Sequence, residues 1–479
     1  MSETISFVLD GKIQSLDFTG PYTPTTTVLN FLRSSPVHKG VKEGCAEGDC
    51  GACTVVIGEL GEDGKIHYHA WDSCLVFLPM IHGKQLITVE NLKQQLAGKE
   101  VLHPVQETMV HSNGSQCGYC TPGIVMSLFA LYKTTNRPSK ACIEDALTGN
   151  LCRCTGYKPI LEAAAKACVL EGKDQFNKEE EVIKAMLQEI KSKSTSLSIN
   201  TSNQRYHQPK TKAEALELRK QKQESVLISG ATDVALRVTK KHELLAEIID
   251  LSHVQEFAQQ ETTADAFYFG AGMSLESIKL FSEKTLPALN ETLTVFGSRQ
   301  IRSLATLGGN LGSGSPIGDT LPTLMAYDAE ITLESTAGAR QVNMNQFVLG
   351  YRKTERRPDE LITRIRIPKP AADTLIRFYK VSKRKDLDIS TVSACFSLKR
   401  SGQIITEIRM AYGGMAAVTK RVAEAEAFLT GKKWERENVA EAMLLIEKAF
   451  TPLSDARSGA TFRTAAAKNL LLKFWSETQ

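Results

Sequence analysis

Gly44-Cys45-Ala46-Glu47-Gly48-Asp49-Cys50-Gly51-Ala52-Cys53, followed after twenty residues by Cys74, is the stretch on which the reading of this chain turns. A cysteine, four residues, a second cysteine, two residues, a third and a later fourth is the plant-type spacing for a [2Fe–2S] cluster. Two irons bridged by two sulfides need four thiolates, two per iron, and here three come from one tight loop. The small residues Gly44, Ala46, Gly48, Gly51 and Ala52 let backbone N–H groups approach the sulfurs. Such N–H bonds stabilise thiolates and tune the potential. A zinc site is the competing reading, but zinc usually pairs C-x2-C with C-x2-C or with histidines.

Around this loop the pattern is mostly that of strands. Residues 4–9 read as a strand, Asp10-Gly11 as a hairpin turn and 13–18 as its partner. Val28–Arg33 reads as a helix, Thr54–Ile57 as a β-branched strand and Gly61–Lys65 as a turn. Trp71–Pro79 carries Cys74 and is expected to close the sheet, with Gln85–Val89 the last strand. This suits a β-grasp, ferredoxin-like domain over residues 1–89.

From about residue 90 to 170 the period becomes helical: His103–Asn113, Ile124–Thr134, Ile143–Leu147 and Ile160–Leu170. A second set of thiols lies between these helices. Cys117-Gly118-Tyr119-Cys120-Thr121-Pro122-Gly123 opens one helix and Cys152-Arg153-Cys154-Thr155-Gly156-Tyr157 another. C-x2-C, 31 residues and then C-x-C is a spacing zinc rarely takes. Both pairs precede helix N-termini, where the dipole and free N–H groups favour thiolate. Cys117, Cys120, Cys152 and Cys154 are therefore assigned to a second [2Fe–2S] cluster. Cys142, Cys168 and Cys395 remain, and a buried cysteine behaves as a small hydrophobe. His38, His103 and His111 read as surface or packing residues, because eight thiols already complete two clusters.

Ten of the eleven cysteines lie before residue 170 in a chain of 479. That asymmetry argues for metal ligation in one part and a reducing compartment, not a disulfide frame. Hydrophobic residues at 42% and charged residues at 23% are ordinary for a globular protein. A net charge of +4 is too weak to argue for nucleic acid or membrane. The sequence shows no basic-then-apolar leader and no apolar run long enough to span a bilayer, so a cytoplasmic location is expected.

Residues 171–205 read as a linker, a short amphipathic helix followed by the Ser/Thr/Asn tract Ser194–Asn203 with little to pack. An α/β pattern follows. Lys212–Gln221, Leu275–Glu283 and Leu286–Phe296 read as helices, and Glu224–Ile228, Glu247–Leu251, Ala266–Gly270, 329–334, 361–367 and 391–398 as strands. After Gly413-Gly414, helices are expected at 418–429, 438–449 and 461–475.

Two glycine-rich stretches carry possible chemistry: Ser229-Gly230-Ala231-Thr232-Asp233, and Ala305 to Asp319 with Gly308-Gly309 and Gly312. Backbone N–H groups in such turns can cradle a pyrophosphate, and Thr232, Thr306, Ser313 and Ser315 add hydroxyls. Neither stretch matches G-x-G-x-x-G, and no G-x-x-x-x-G-K-[ST] occurs, which excludes a Rossmann fingerprint and a P-loop ATPase. A dinucleotide cofactor and a purely structural turn both remain open on these residues alone.

Taken together, the motifs resemble the molybdenum hydroxylase family. Gly44–Cys53, Gln116–Gly123 and Cys152–Tyr157 are similar to its two-cluster module. Thr306-Leu307-Gly308-Gly309-Asn310 with Ser315-Pro316-Ile317-Gly318-Asp319 is similar to its flavin signature, and Tyr412–Ala416 to the start of its flavoprotein C-terminal domain. The order of modules, with nothing after the flavin part, resembles the small subunits of bacterial xanthine dehydrogenases. The implied fold is an α+β multidomain chain. It comprises a β-grasp [2Fe-2S] ferredoxin domain (1–89), a helical [2Fe-2S] domain (90–170) and the linker (171–205). An α/β FAD-binding domain of the PCMH (vanillyl-alcohol-oxidase-like) type (206–372) and an α+β CO-dehydrogenase-flavoprotein-like C-terminal domain (373–479) follow.

The resemblance also implies roles. Cys45, Cys50, Cys53 and Cys74 would hold the cluster nearer the flavin, and Cys117, Cys120, Cys152 and Cys154 the one facing the molybdenum cofactor. Leu227, Ile228, Ser229, Gly230, Ala231, Thr232, Asp233 and Val234, with Thr306, Leu307, Gly308, Gly309 and Asn310, would bind FAD. Phe296 and Ile362 would flank the isoalloxazine ring, Asp319 and Lys380 would make further FAD contacts, and Asp386 would lie in a loop governing nicotinamide access. NAD+ would be the acceptor. No residue here would catalyse hydroxylation. That chemistry would belong to a molybdopterin-binding large subunit, two copies of each chain forming a heterotetramer. Many relatives carry a second glycine at Ala231, so an ordinary backbone angle is expected there.

Overall fold

The computed structural model describes residues 3–96, 99–169 and 174–479, which divide into two compact units. The first comprises residues 1–210, 224–253 and 297–305, and the second the remainder. The units do not follow the sequential order of domains, because two segments beyond residue 223 fold with the cysteine-rich part.

The first unit begins with a five-stranded sheet in the order Lys12–Leu16, Ile5–Leu9, Gln85–Ile87, Thr54–Leu60, Ile66–Asp72. Ile5–Leu9 pairs parallel with Gln85–Ile87, and the other pairs are antiparallel. Helix Val28–Ser34 is capped by the Thr27 hydroxyl and buries Val28, Leu29 and Leu32. Their core partners include Phe7, Val55, Trp71 and Phe77. Cys74 lies on a short 3-10 turn, Ser73–Leu75, just after the strand Ile66–Asp72. The sheet is closed by that strand, not by Trp71–Pro79. Two 3-10 turns occupy most of the latter, since Pro79 lacks an N–H for a ladder.

Helices Pro104–His111, Thr121–Thr134, Lys140–Leu147 and Lys158–Ala167 form the next layer. Position 170 of the expected last helix lies outside the described residues. Their core gathers Val105, Ile124, Phe129, Ile143 and Ala163. His103 is fully buried against Asp174, and His38 bonds Thr88 and Asp10, so both pack.

The linker reading needs correcting within its described part. Helix Glu180–Lys193 buries Ile183, Leu187 and Ile190 in the helical core. Ser194–Asn203 is no flexible tract either. Leu197–Asn200 is an edge strand with Leu197 and Ile199 inside. Alternation of two apolar residues among polar ones, as on a half-buried strand, was hidden by the polar composition. This strand pairs with Arg205–Gln208, which continues in parallel to Glu247–Asp250 and Val226–Ile228.

The second unit holds a five-stranded antiparallel sheet in the order Gln260–Thr262, Ala266–Gly270, Leu361–Pro368, Glu330–Ser335, Gly338–Asn343. It also holds a four-stranded sheet, Leu375–Val381, Val392–Ser401, Ile404–Gly413 and Lys420–Arg421. The helix expected from 418 starts only at Ala423, because Lys420 and Arg421 pair with Tyr412 and Ala411 first. Helices Arg436–Ala449 and Ala460–Thr478 cover that sheet, with Phe396, Tyr412, Trp434 and Phe474 in the core. Among the described residues no helix is long and apolar enough to cross a membrane.

Candidate redox site

The first thiol set is a loop wound through left-handed backbone. Ala46, Gly48 and Gly51 have φ of 55°, 77° and 66°. That winding turns the N–H groups of Glu47 and Asp49 onto Cys45 Sγ, at 3.4 and 3.3 Å. Cys53 Sγ stands 3.4 Å from Cys74 Sγ, with both side chains buried. The thiols of Cys50 and Cys74 also bond to Cys45, and with the N–H groups they hold Cys45 far below the ordinary thiol range. Thiol bonds to Cys45 and burial raise Cys50 in return. N–H groups thus point at the Cys45 sulfur, and Cys50, Cys53 and Cys74 gather with it, an arrangement that suits the donor set of an iron–sulfur cluster. Among the described residues, no group of three or more His, Cys, Asp and Glu is set as for a single metal ion.

The second set is built on helix starts. Cys120 caps Thr121–Thr134, and Tyr157, at φ 66°, caps Lys158–Ala167. Cys152 is buried, which opposes its ionisation. The hydroxyl and N–H of Thr155 and the N–H of Cys154 nevertheless hold it below the usual range. Burial and the bond to Cys152 push Cys120 up to about 12. Cys154 bonds Cys117, and both are exposed. All eight expected ligands thus fall into the two expected sets. The remaining three pack: Cys168 and Cys395 are buried and Cys142 is half-buried.

The two sets meet backbone to backbone. Leu151 N–H donates to Cys50 O at 3.0 Å. A Cβ on Gly51 would stand 2.1 Å from Gly149 O, and one on Gly123 would stand 2.1 Å from Gly51 O. Glycine is therefore required at Gly51 by both its φ and its neighbours. These contacts escape sequence reading, although glycines beside each thiol pair were a usable signal.

The glycine stretch of the first unit follows the strand Val226–Ile228. Ala231 has φ 56°, contrary to the ordinary angle expected from its side chain. The turn is imposed by its surroundings. Gly230 lies flat against the chain, where a Cβ would meet Leu304 O at 1.9 Å, and Ala231 O accepts from Ala235 N–H at 2.7 Å. A left-handed alanine costs about 1 kcal/mol, and the Ser229 hydroxyl is buried without a protein partner. A strained turn beside an orphan hydroxyl suits a polar ligand.

In the second unit, Thr306 caps helix Leu307–Gly312 and accepts from Gly309 N–H at 3.1 Å. The N–H groups of Leu307, Gly308 and Asn310 bond Met273 O, Ala271 O and Thr306 O. These glycines work by close approach, since a Cβ on Gly308 would stand 2.6 Å from Ala271 Cβ. The expectation of glycine-freed N–H groups at this stretch is not met, because the amides already serve the fold.

Asp319 and Lys380 come together. Lys380 Nζ lies 2.9 Å from Asp319 Oδ2 and donates to Val295 O at 2.9 Å, next to Phe296. Ser390 Oγ donates to Asp319 Oδ1 at 2.6 Å. Ile362, in strand Leu361–Pro368, stands 3.5 Å from where a Cβ on Gly312 would be. Asp386 sits in a loop whose shape is held by Arg384 and Asp388.

Comparison with known proteins matches three parts of the chain to family descriptions. Residues 198–370 match the family described as the FAD binding domain in molybdopterin dehydrogenase, 377–478 the CO dehydrogenase flavoprotein C-terminal domain, and 88–165 a [2Fe-2S] binding domain. A xanthine dehydrogenase of Emericella nidulans is 32% identical over 99% of this chain and 38% of its own length. One of Drosophila pseudoobscura pseudoobscura is 32% identical over 98% and 39%. The chain thus spans about two fifths of the length of these curated relatives. A carbon monoxide dehydrogenase structure from Hydrogenophaga pseudoflava is 26% identical, with TM-score 0.55, covering 57% of this chain and 96% of that one. One from Oligotropha carboxidovorans is 25% identical at TM-score 0.53, covering 57% and 96%.

Proposed function

We propose that the chain is an FAD and [2Fe-2S] electron-transfer component of the molybdenum hydroxylase family and, within it, the small subunit of a xanthine dehydrogenase of the bacterial kind. The observation that carries this is eight thiols in two touching sets on a chain that also contains the FAD-binding domain. When bound, the clusters would supply one-electron transfer and the flavin both one- and two-electron chemistry, so that flavin reduced by two electrons could pass a hydride to NAD+.

The residues supply position and charge. Cys45, Cys50, Cys53 and Cys74 would hold one cluster, with the N–H groups of Glu47 and Asp49 directed at the sulfur. Cys117, Cys120, Cys152 and Cys154 would hold the other, with Cys117 and Cys154 exposed towards a molybdopterin-binding partner. Leu227–Val234 and Thr306–Asn310 would contact FAD. The buried Lys380–Asp319 pair fixes the backbone beside Phe296. Oxidation of hypoxanthine and xanthine to urate would occur on the partner, in a two-plus-two assembly.

A second reading keeps the relay and changes the substrate to an aldehyde or another N-heterocycle. The similarity to carbon monoxide dehydrogenase chains favours keeping it. Co-purification of the partner with a substrate screen separates the two. NADH-dependent dye reduction by the isolated chain tests the flavin end, and its absence in flavin-loaded protein would exclude NAD+ as acceptor. Lys380→Met should leave Asp319 buried without its cation, at a cost of about 3–5 kcal/mol, and lower the flavin content measured by absorbance.

A further inference from the structure

Asn150 stands where the two thiol sets meet and is 3% exposed. Its Nδ2 donates to Gly51 O at 3.1 Å and to Thr54 Oγ1 at 3.2 Å. Gly51 lies between the ligands Cys50 and Cys53, and Thr54 follows Cys53. Its Oδ1 accepts from Gln300 Nε2 at 3.0 Å. Gln300 is 1% exposed, and its Nε2 is also within reach of Ser127 Oγ and Ala146 O, at 2.8 and 3.1 Å. Along the backbone, Asn150 N–H donates to Leu147 O at 2.9 Å, and Cys152 is two residues on.

One buried amide therefore ties the loop of the first set to the segment that delivers a ligand of the second. Leucine or alanine at Asn150 would lose both bonds of the amide nitrogen, to Gly51 O and Thr54 Oγ1, and would take the Oδ1 acceptor away from Gln300 Nε2. Both polar atoms of the Asn150 side chain are bonded, while Gln300 Oε1 is buried with no protein partner, and bonded buried polar groups fix one geometry where apolar contacts tolerate sliding. Gly51 O also accepts from Thr54 Oγ1 at 2.7 Å and from Thr54 N–H at 3.1 Å, so Asn150 adds to that carbonyl the bond that comes from the other thiol segment.

We propose that Asn150 is the positioning residue that sets the separation and orientation of the two thiol sets, and thereby the ease with which one electron passes between the groups they hold. The inference rests on reading both sets as [2Fe–2S] ligands. In the step, one centre is oxidised by one electron and the other reduced by one, and no bond or proton moves. Partners bonded directly to a ligand change metal affinity or activity by about 10–100-fold when removed, and Asn150, bonded one residue away from Cys50 and Cys53, is expected at the lower end of that range.

The test uses the full chain purified with its clusters and reduced by dithionite. Wild type should give two distinct [2Fe–2S] signals in electron paramagnetic resonance, each broadened by the other. One signal or none would remove the two-cluster reading, independently of Asn150. Asn150→Ala should keep iron and both signals, change their mutual broadening, and slow one-electron equilibration between them about tenfold. Unchanged broadening and equilibration within twofold of wild type would overturn the proposal. Should Asn150→Ala lose iron, Gln300→Met, which frees only Asn150 Oδ1, becomes the deciding variant. It should shift the broadening in the same direction by less, and an unchanged spectrum would overturn the proposal. Loss of iron from both would overturn it too, because the network would then be a folding requirement, not a spacing device.

Discussion

The two thiol sets are built on different elements. Gly44–Cys53 with Cys74 is a left-handed loop set into a sheet, and Cys53 and Cys74 are 2% and 1% exposed. The Cys117–Cys154 set is made from helix starts, with Cys117 and Cys154 at the surface. The first arrangement spends backbone strain to surround its sulfurs. The second also turns through left-handed backbone, at Gly118, Gly156 and Tyr157, but places its thiols at helix starts and leaves Cys117 and Cys154 exposed. That difference suits a relay in which electrons enter at the exposed set and are shielded at the buried one.

The contrast can be broken at Gly51. Gly51→Ala forces a Cβ against Gly149 O at a φ of 66°. It should destabilise the unit by about 2–4 kcal/mol and lower iron content, measured by denaturant midpoint and iron assay. Solvent access offers a second way. In protein stripped of iron, Cys117 and Cys154 should react with iodoacetamide at least about tenfold faster than Cys53 and Cys74, since reactivity follows exposure and thiolate character. Peptide mass mapping would show equal rates if the contrast is wrong.

Gly156→Ala sharpens the comparison. Gly156 has the same φ, 66°, but no atom lies within 4 Å of its Cβ position. Its cost should be only the conformational one, about 1 kcal/mol, with iron retained. The smallest effect is expected at Ala231→Gly. Relief of the left-handed alanine, partly offset by a floppier unfolded chain, should stabilise by about 0.5 kcal/mol, read as a small rise in denaturant midpoint.

Where the sequence could be read, short-range chemistry governed the outcome. The cysteine spacings named eight thiols, and the fold brings them together as two sets of four. Lys212–Gln221 and Ala266–Gly270 formed with the bounds their periodicity implied. Misreadings share a cause, which is tertiary contact. Ala231 takes its angle because Gly230 lies against Leu304. Leu197–Asn200 forms an edge strand because Arg205–Gln208 offers a free ladder. Residues 420–421 extend a sheet before the helix can begin. The Asn150 bridge and the pairing of Asp319 with Lys380 join residues 99 and 61 positions apart, beyond the reach of any local pattern.

The central claim is that one chain carries two clusters and a flavin as a single relay. An anaerobic dithionite titration of the isolated, fully loaded chain, followed by absorbance and electron paramagnetic resonance, tests it most directly. Uptake of about four electrons per chain is predicted, one for each cluster and two for FAD, with two separate [2Fe–2S] signals. Uptake of about three electrons with a single cluster signal, or zinc in place of iron at either set, would contradict it.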